Sequence, residues 1–155
     1  MLDQKIELLQ QVPLFAGLPL DQLEAIAEAG EKKYFEAGEN LITQGEKGSA
    51  AFLILTGKAS CPRIVKGENL VEDLWPGALA GELAMLVETV HTVTVTASER
   101  LRALAFPRES VRAVMEAHPQ IARHISERLL LRLHGLAAQL REVDKRLAQA
   151  EEAAA

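Results

Sequence analysis

The sequence predicts a mainly β domain, a sandwich or barrel of short strands, with helices at both ends. Three observations carry that expectation. Between Glu31 and Pro107, short runs of apolar and β-branched residues alternate with glycine turns at intervals of about ten residues, as in many-stranded all-β units. On either side of this region the apolar residues recur at helical spacing instead. Length and composition agree, since 155 residues with 48% hydrophobic and 25% charged side chains make one ordinary globular domain with a sizeable core.

Three segments follow in order within this one structural domain. Residues 1–30 are helical: Leu8, Leu9 and Val12 lead to Pro13, which ends a first helix. Asp21 opens a second, with Leu23, Ile26 and Ala27 at helical spacing and Gly30 as the stop. Residues 31–107 hold the strands, expected at 34–35, 41–43, 51–56, 64–65, 70–75, 90–97 and 101–106. Turns fall at Gly38, Gly45, Gly57, Gly67 and Pro76-Gly77. Val93, Val95 and Ala97 alternate with Thr92, Thr94 and Thr96, so one face of that stretch is expected to be buried. Residues 108–155 return to helix, a short one over 109–116 and, after His118-Pro119, a long one to about Ala150.

Within the long helix Leu133, Leu136, Leu140, Val143 and Leu147 follow the alternating three-four spacing of a heptad seam. With Leu133 at position a, Arg146 falls at g and Glu151 at e, a pairing of the right sign in a parallel dimer. The seam could instead pack on its own sheet. A helix roughly 45 Å long outreaches a single small domain, however, and the expectation is a homodimer through this helix. Gly135 weakens the helix by about 1 kcal/mol relative to alanine and marks a hinge or a close contact.

Charge and residue counts narrow the function. A net charge of −5, from 17 basic and 22 acidic residues, does not make a nucleic-acid footprint. No apolar stretch approaches the roughly 20 residues that cross a bilayer, and acidic residues interrupt the N-terminus where a secretory signal would be apolar. A soluble, cytoplasmic protein without a membrane partner is expected. Cys61 stands alone and makes neither a disulfide nor a cysteine metal site. It reads as a small half-buried strand residue rather than a redox sensor. His118, His124 and His134 are too scattered for a metal pair and read as solvated or capping residues. No Ser/His/Asp set, Cys/His set or paired carboxylates can be named, so no catalytic residue and no enzyme is expected.

The informative segment is Gly81-Glu82-Leu83-Ala84, leading into a short helix. Unpaired amides at a helix start favour an anion. A carboxylate there would repel phosphate, so Glu82 should face a neutral hydroxyl-bearing group such as a ribose. Together with Gly38-Glu39, Gly45-Glu46, Gly57 and Gly77 in order, this segment resembles the cyclic nucleotide-binding domain family, as in the bacterial catabolite activator and the protein kinase A regulatory subunit. The likeness runs from Leu14-Phe15 to about Leu140.

The resemblance implies an eight-stranded jelly-roll β-barrel (a double-stranded β-helix) with N-terminal helices and a long C-terminal dimerisation helix, the ligand lying between strands and helix. It implies that Gly81, Leu83 and Ala84 present backbone to the phosphate of cAMP or cGMP, that Glu82 binds the ribose 2′-hydroxyl, and that no other cofactor is needed. The family pattern Pro-Arg-(Ala/Ser/Thr)-Ala-Thr-Val here reads Val90-His91-Thr92-Val93-Thr94-Val95. His91 therefore stands where an arginine would pair with the phosphate. A fixed bidentate cation becomes a titratable imidazole, a loss of roughly ten- to a hundredfold in affinity, which a protonated His91 would partly restore. Otherwise His91 only fills the pocket edge.

Thr92 occupies a position where cGMP-selective members often carry a threonine. Near the base the helix would offer Leu136 and Ala137, an apolar contact without a hydroxyl pair. Family transcription regulators continue into a helix-turn-helix, whereas this sequence ends at Ala155, so direct DNA binding by this chain is not expected. Three expectations stand: a homodimeric cyclic-nucleotide sensor of weak or altered specificity, a degenerate nucleotide-free dimeric module, or the sensor half of a catabolite-activator-type regulator.

Overall fold

The structure, a computed structural model, describes residues 2–154. Ala155, at which the sequence ends, lies outside the described residues. Helices α1 (Leu2–Gln11) and α2 (Leu20–Ala29) form the N-terminal pair. Helix α1 stops just before Pro13, as proline's missing N–H requires. Helix α2 begins after Pro19 with no side-chain cap, so Asp21 lies in its first turn rather than at its start. Gly30 does end α2, but with φ −80° and ψ 147°, not in the left-handed region. Space is what demands glycine here, because a Cβ would lie 2.4 Å from Cγ of Leu104.

Ten strands follow: β1 (Glu31–Phe35), β2 (Asn40–Ile42), β3 (Lys47–Gly48), β4 (Ala50–Thr56), β5 (Ala59–Val65), β6 (Glu68–Leu74), β7 (Leu79–Ala80), β8 (Thr89–Val90), β9 (Val95–Ala97) and β10 (Leu101–Pro107). They pair antiparallel in two four-stranded sheets, β1-β10-β4-β7 and β2-β9-β5-β6, with β3-β8 as a separate ribbon. The eight strands of the two sheets give the jelly-roll architecture, but the sheets do not close into a barrel. Strands of two or three residues at the margins supply too few ladder bonds to zip them together.

The central strands β4 and β10 of the first sheet are buried on both faces, which explains the unbroken apolar run at Ala50–Leu55, whereas the edge strand β1 is exposed. Leu53, Leu55, Leu104 and Phe106 join Phe15, Leu23 and Ile121 in a core beneath the helices. Ile54, Leu101 and Ala103 turn to the other side and meet Leu41, Cys61 and Val95 between the sheets. Cys61 is thus fully buried rather than half-buried, and burial pushes its thiol up from the ordinary value. The stretch 90–97 is not one strand. The Gly45 amide donates to the carbonyl of His91 at 2.9 Å, and the amide of His91 donates to the carbonyl of Glu46 at 2.9 Å. This grip on a neighbouring turn interrupts the ladder between β8 and β9.

Helix α3 (Arg108–Ala117) is capped by His118, and α4 (Pro119–Ala154) runs four residues past the expected Ala150. Its first turns bury Ile121 and Ile125 in the helical core. Leu133, Leu136, Leu140, Val143 and Leu147 are exposed, so the seam does not pack on its own sheet. Nothing lies within 4 Å of a Cβ built on Gly135, and Arg146 pairs within the helix with Glu142 at 3.6 Å. His124 is not solvated: its Nε2 is buried without a hydrogen-bond partner, packed near Gly17. No described helix is long and apolar enough to cross a membrane.

Candidate functional site

Between β7 and β8 the chain passes through Gly81 into a single 3-10 turn, Glu82–Met85. Gly81 adopts φ +73°, a left-handed conformation that a side chain would strain. Ala84 and Met85 are buried beneath the turn and pin it to the core, while Leu83 points outward. The expected helix is therefore only one turn, too short for an appreciable macrodipole. What it offers is local: the amide of Ala84 donates to the Gly81 carbonyl at 2.9 Å, leaving those of Glu82 and Leu83 without an intrahelical partner.

These groups line a cleft of about 390 Å³, together with Ile42, Arg63, Thr89, Val90, His91, Thr92 and Val93. That volume falls within the roughly 300–1,000 Å³ of small-molecule sites. The imidazole of His91 lies over Gly48 and against Gly81: a Cβ on Gly48 would come within 2.8 Å of its Cε1, and one on Gly81 within 3.4 Å. Glycine at position 48 makes room for the ring, whereas at position 81 the left-handed φ is what demands it. The Glu82 carboxylate, a quarter exposed, accepts from Nη1 of Arg132 on α4. Arg63, on the same face of β5 as buried Cys61, donates from Nε to Glu72 on β6 at 2.7 Å. That bond is the main reason its guanidinium holds its proton more tightly than usual.

The structure thus brings Gly81, Glu82, Leu83, Ala84, His91 and Thr92 to one cleft. It leaves Leu136 exposed and Ala137 half-buried, neither of them lining it. Three functional candidates escaped the sequence reading. Arg63 was signalled by strand alternation from Cys61. Arg132 follows Ile121, Ile125 and Leu129 at helical spacing and so belongs to the face of α4 that meets the domain. Arg108 donates to three backbone carbonyls around the turn, a role that no spacing rule announces.

Among known proteins, the family described as cyclic nucleotide-binding domain matches residues 32–118, more than half of the chain. A cAMP-dependent protein kinase regulatory subunit of Schizosaccharomyces pombe is 36% identical over 64% of this chain and 24% of its own length. A cGMP-dependent protein kinase of Caenorhabditis briggsae is 32% identical over 69% of this chain and 15% of its own. The chain thus spans a quarter or less of these relatives. The catabolite activator protein of Thermus thermophilus superposes with a TM-score of 0.68 at 27% identity, over 85% of this chain and 63% of that one. By sequence match and by architecture, the chain belongs to the cyclic nucleotide-binding domain family.

Proposed function

We propose that this chain is a non-catalytic sensor that binds cAMP or cGMP in the cleft at Gly81–Ala84, weakly or with altered specificity, and signals as a homodimer through α4. The observation that carries the reading is the meeting in one cleft of the open amides of Glu82 and Leu83, the Glu82 carboxylate and the His91 ring. The amides and an imidazolium suit a cyclic phosphate, and the carboxylate accepts from a ribose hydroxyl. Relatives are named for each of the two nucleotides. Arg63 and Thr92 on the cleft wall add donors, which favours guanine, whose O6 and N7 are both acceptors, over adenine. Leu136 and Ala137 would reach a base only if α4 moved toward the cleft. The exposed leucine seam of α4 supports the dimer.

A second reading is a degenerate module that binds no nucleotide. The contact that favours it is Arg132 on Glu82, which occupies the carboxylate a ribose would use. Calorimetric titration of the dialysed protein with cAMP and cGMP at pH 6 and pH 8 separates the two. Micromolar binding of at least one of the two nucleotides is expected. Silence at both pH values up to millimolar ligand leaves the degenerate module. His91→Arg should raise affinity roughly ten- to a hundredfold by supplying the fork.

A further inference from the structure

The 3-10 turn has two ends, and the ligand reading uses only the amide end. Its carbonyl end is gathered by one side chain. Arg108, the first residue of α3, donates from Nη1 to the carbonyls of Gly48 at 3.1 Å, Ala84 at 3.2 Å and Val87 at 3.1 Å. Its own amide donates to the Ser49 carbonyl at 2.8 Å. One residue therefore ties the start of α3 both to the β3–β4 corner and to the segment that follows Glu82. Helix α3 in turn packs on the 3-10 turn and on α4.

The chemistry suits a clamp. Carbonyls at the end of a helical turn lack intrahelical donors, and bonds from an ionised donor are about twice as strong as neutral ones. Among the described residues, no carboxylate pairs with this guanidinium; backbone carbonyls are its only hydrogen-bond partners. A permanently charged group held this way keeps the carbonyls of Ala84, in the turn, of Val87, just past it, and of Gly48, on β3, converged on one point. Because the Ala84 amide is bonded back to the Gly81 carbonyl, holding the Ala84 carbonyl also constrains the Glu82 and Leu83 amides that lie between them.

We propose that Arg108 is the positioning residue of the cleft: without touching the ligand, it holds the amides of the turn in their binding orientation and ties that turn to α3. The ligand consequence rests on the cyclic-nucleotide reading above, whereas the clamp itself is a property of the free protein.

Amide hydrogen exchange on the free wild-type chain, Arg108→Met and Arg108→Lys, combined with cAMP and cGMP titrations of each, tests both parts. In Arg108→Met the amides of Ala84, Leu86 and Val87 should exchange at least roughly tenfold faster while those of β4 and β10 keep wild-type rates. Nucleotide affinity should fall by a similar factor, and Arg108→Lys should recover part of both. Unchanged exchange at the turn overturns the clamp. Equal acceleration in β4 and β10, or full nucleotide affinity in the Met variant, reduces Arg108 to a general stabiliser and overturns its positioning role. Should Arg108→Met not fold, the lysine variant reads the same local exchange against the same β4 and β10 reference. A wild-type chain that binds neither nucleotide sinks the ligand reading, and the exchange data then decide the clamp alone.

Discussion

The two halves of α4 share one sequence period and meet opposite fates. From Pro119 to Leu129 the helix buries Ile121 and Ile125 beside Phe15 and Phe106, and Arg128 donates to the Ala16 carbonyl at 2.8 Å. From Leu130 onward its large apolar residues face solvent, and among the described residues of this half Arg132 alone makes a side-chain hydrogen bond back to the domain, to Glu82. The leucines of the outer half are as regular as the isoleucines of the inner half. Periodicity thus specifies a helix and a face, and does not specify what covers the face. The inner half has its partner within the chain, whereas the outer half presents a row of half-exposed leucines that a second copy would cover. Arg132 sits at the junction, on the one contact through which the free portion of the helix could sense the cleft.

This contrast can be broken most directly from the inside. Ile121→Ala, at a side chain 1% exposed, should cost about 2–5 kcal/mol in denaturant unfolding, while Leu140→Ala, at 65% exposure, stays within about 0.5 kcal/mol at concentrations where the chain is monomeric. Equal effects at the two sites would mean that the outer half is packed after all. Next in size is Leu140→Glu, which sets a charge in the proposed seam and should weaken self-association at least roughly tenfold by sedimentation velocity. An unaltered sedimentation profile would remove α4 from the dimer.

Gly135→Ala should stabilise the helix by about 1 kcal/mol, read as greater helicity by circular dichroism, because a methyl group there meets nothing within 4 Å. Weakened self-association in that variant would instead reveal a close helix–helix approach at this position. The smallest effect is expected from Arg132→Gln. An ion pair whose side chains are 45% and 25% exposed is worth at most about 1 kcal/mol, and its loss should barely move the melting temperature. A clear rise in nucleotide affinity in that variant would show that Arg132 competes with the ligand for Glu82.

Much of the fold was legible in the residues. The glycine turns placed the strand region, Pro13 and Gly30 bounded the first helices, and the heptad marked the long one. The two-residue strands β3 and β7 were invisible, since neither carries a periodic pattern, and 90–97 looked like one strand because its alternating valines and threonines are real. Val95 and Ala97 are buried as that alternation requires, but the grip of the Gly45-Glu46 turn on His91 breaks the ladder before them. At the candidate site, the run from Gly81 to Ala84 announced itself through a glycine and an acid at the start of a short helical turn. The three arginines around it did not. Arg63 and Arg132 lie on strand and helix faces whose neighbours are fixed only by the packing of other segments, and Arg108 acts on carbonyls far away in sequence.

The amino-acid sequence by itself determined what depends on neighbours along the chain: strand and helix periods, the turns at glycine, and the apolar seam of α4. Tertiary structure alone decided which charges converge, because hydrogen bonds such as those of Arg108 to Gly48 and of Arg132 to Glu82 join residues 60 and 50 positions apart. Local propensity is set over a turn or two of chain. A guanidinium finds its acceptors only after two sheets and four helices have been packed, and the same packing leaves the outer leucines of α4 without a cover.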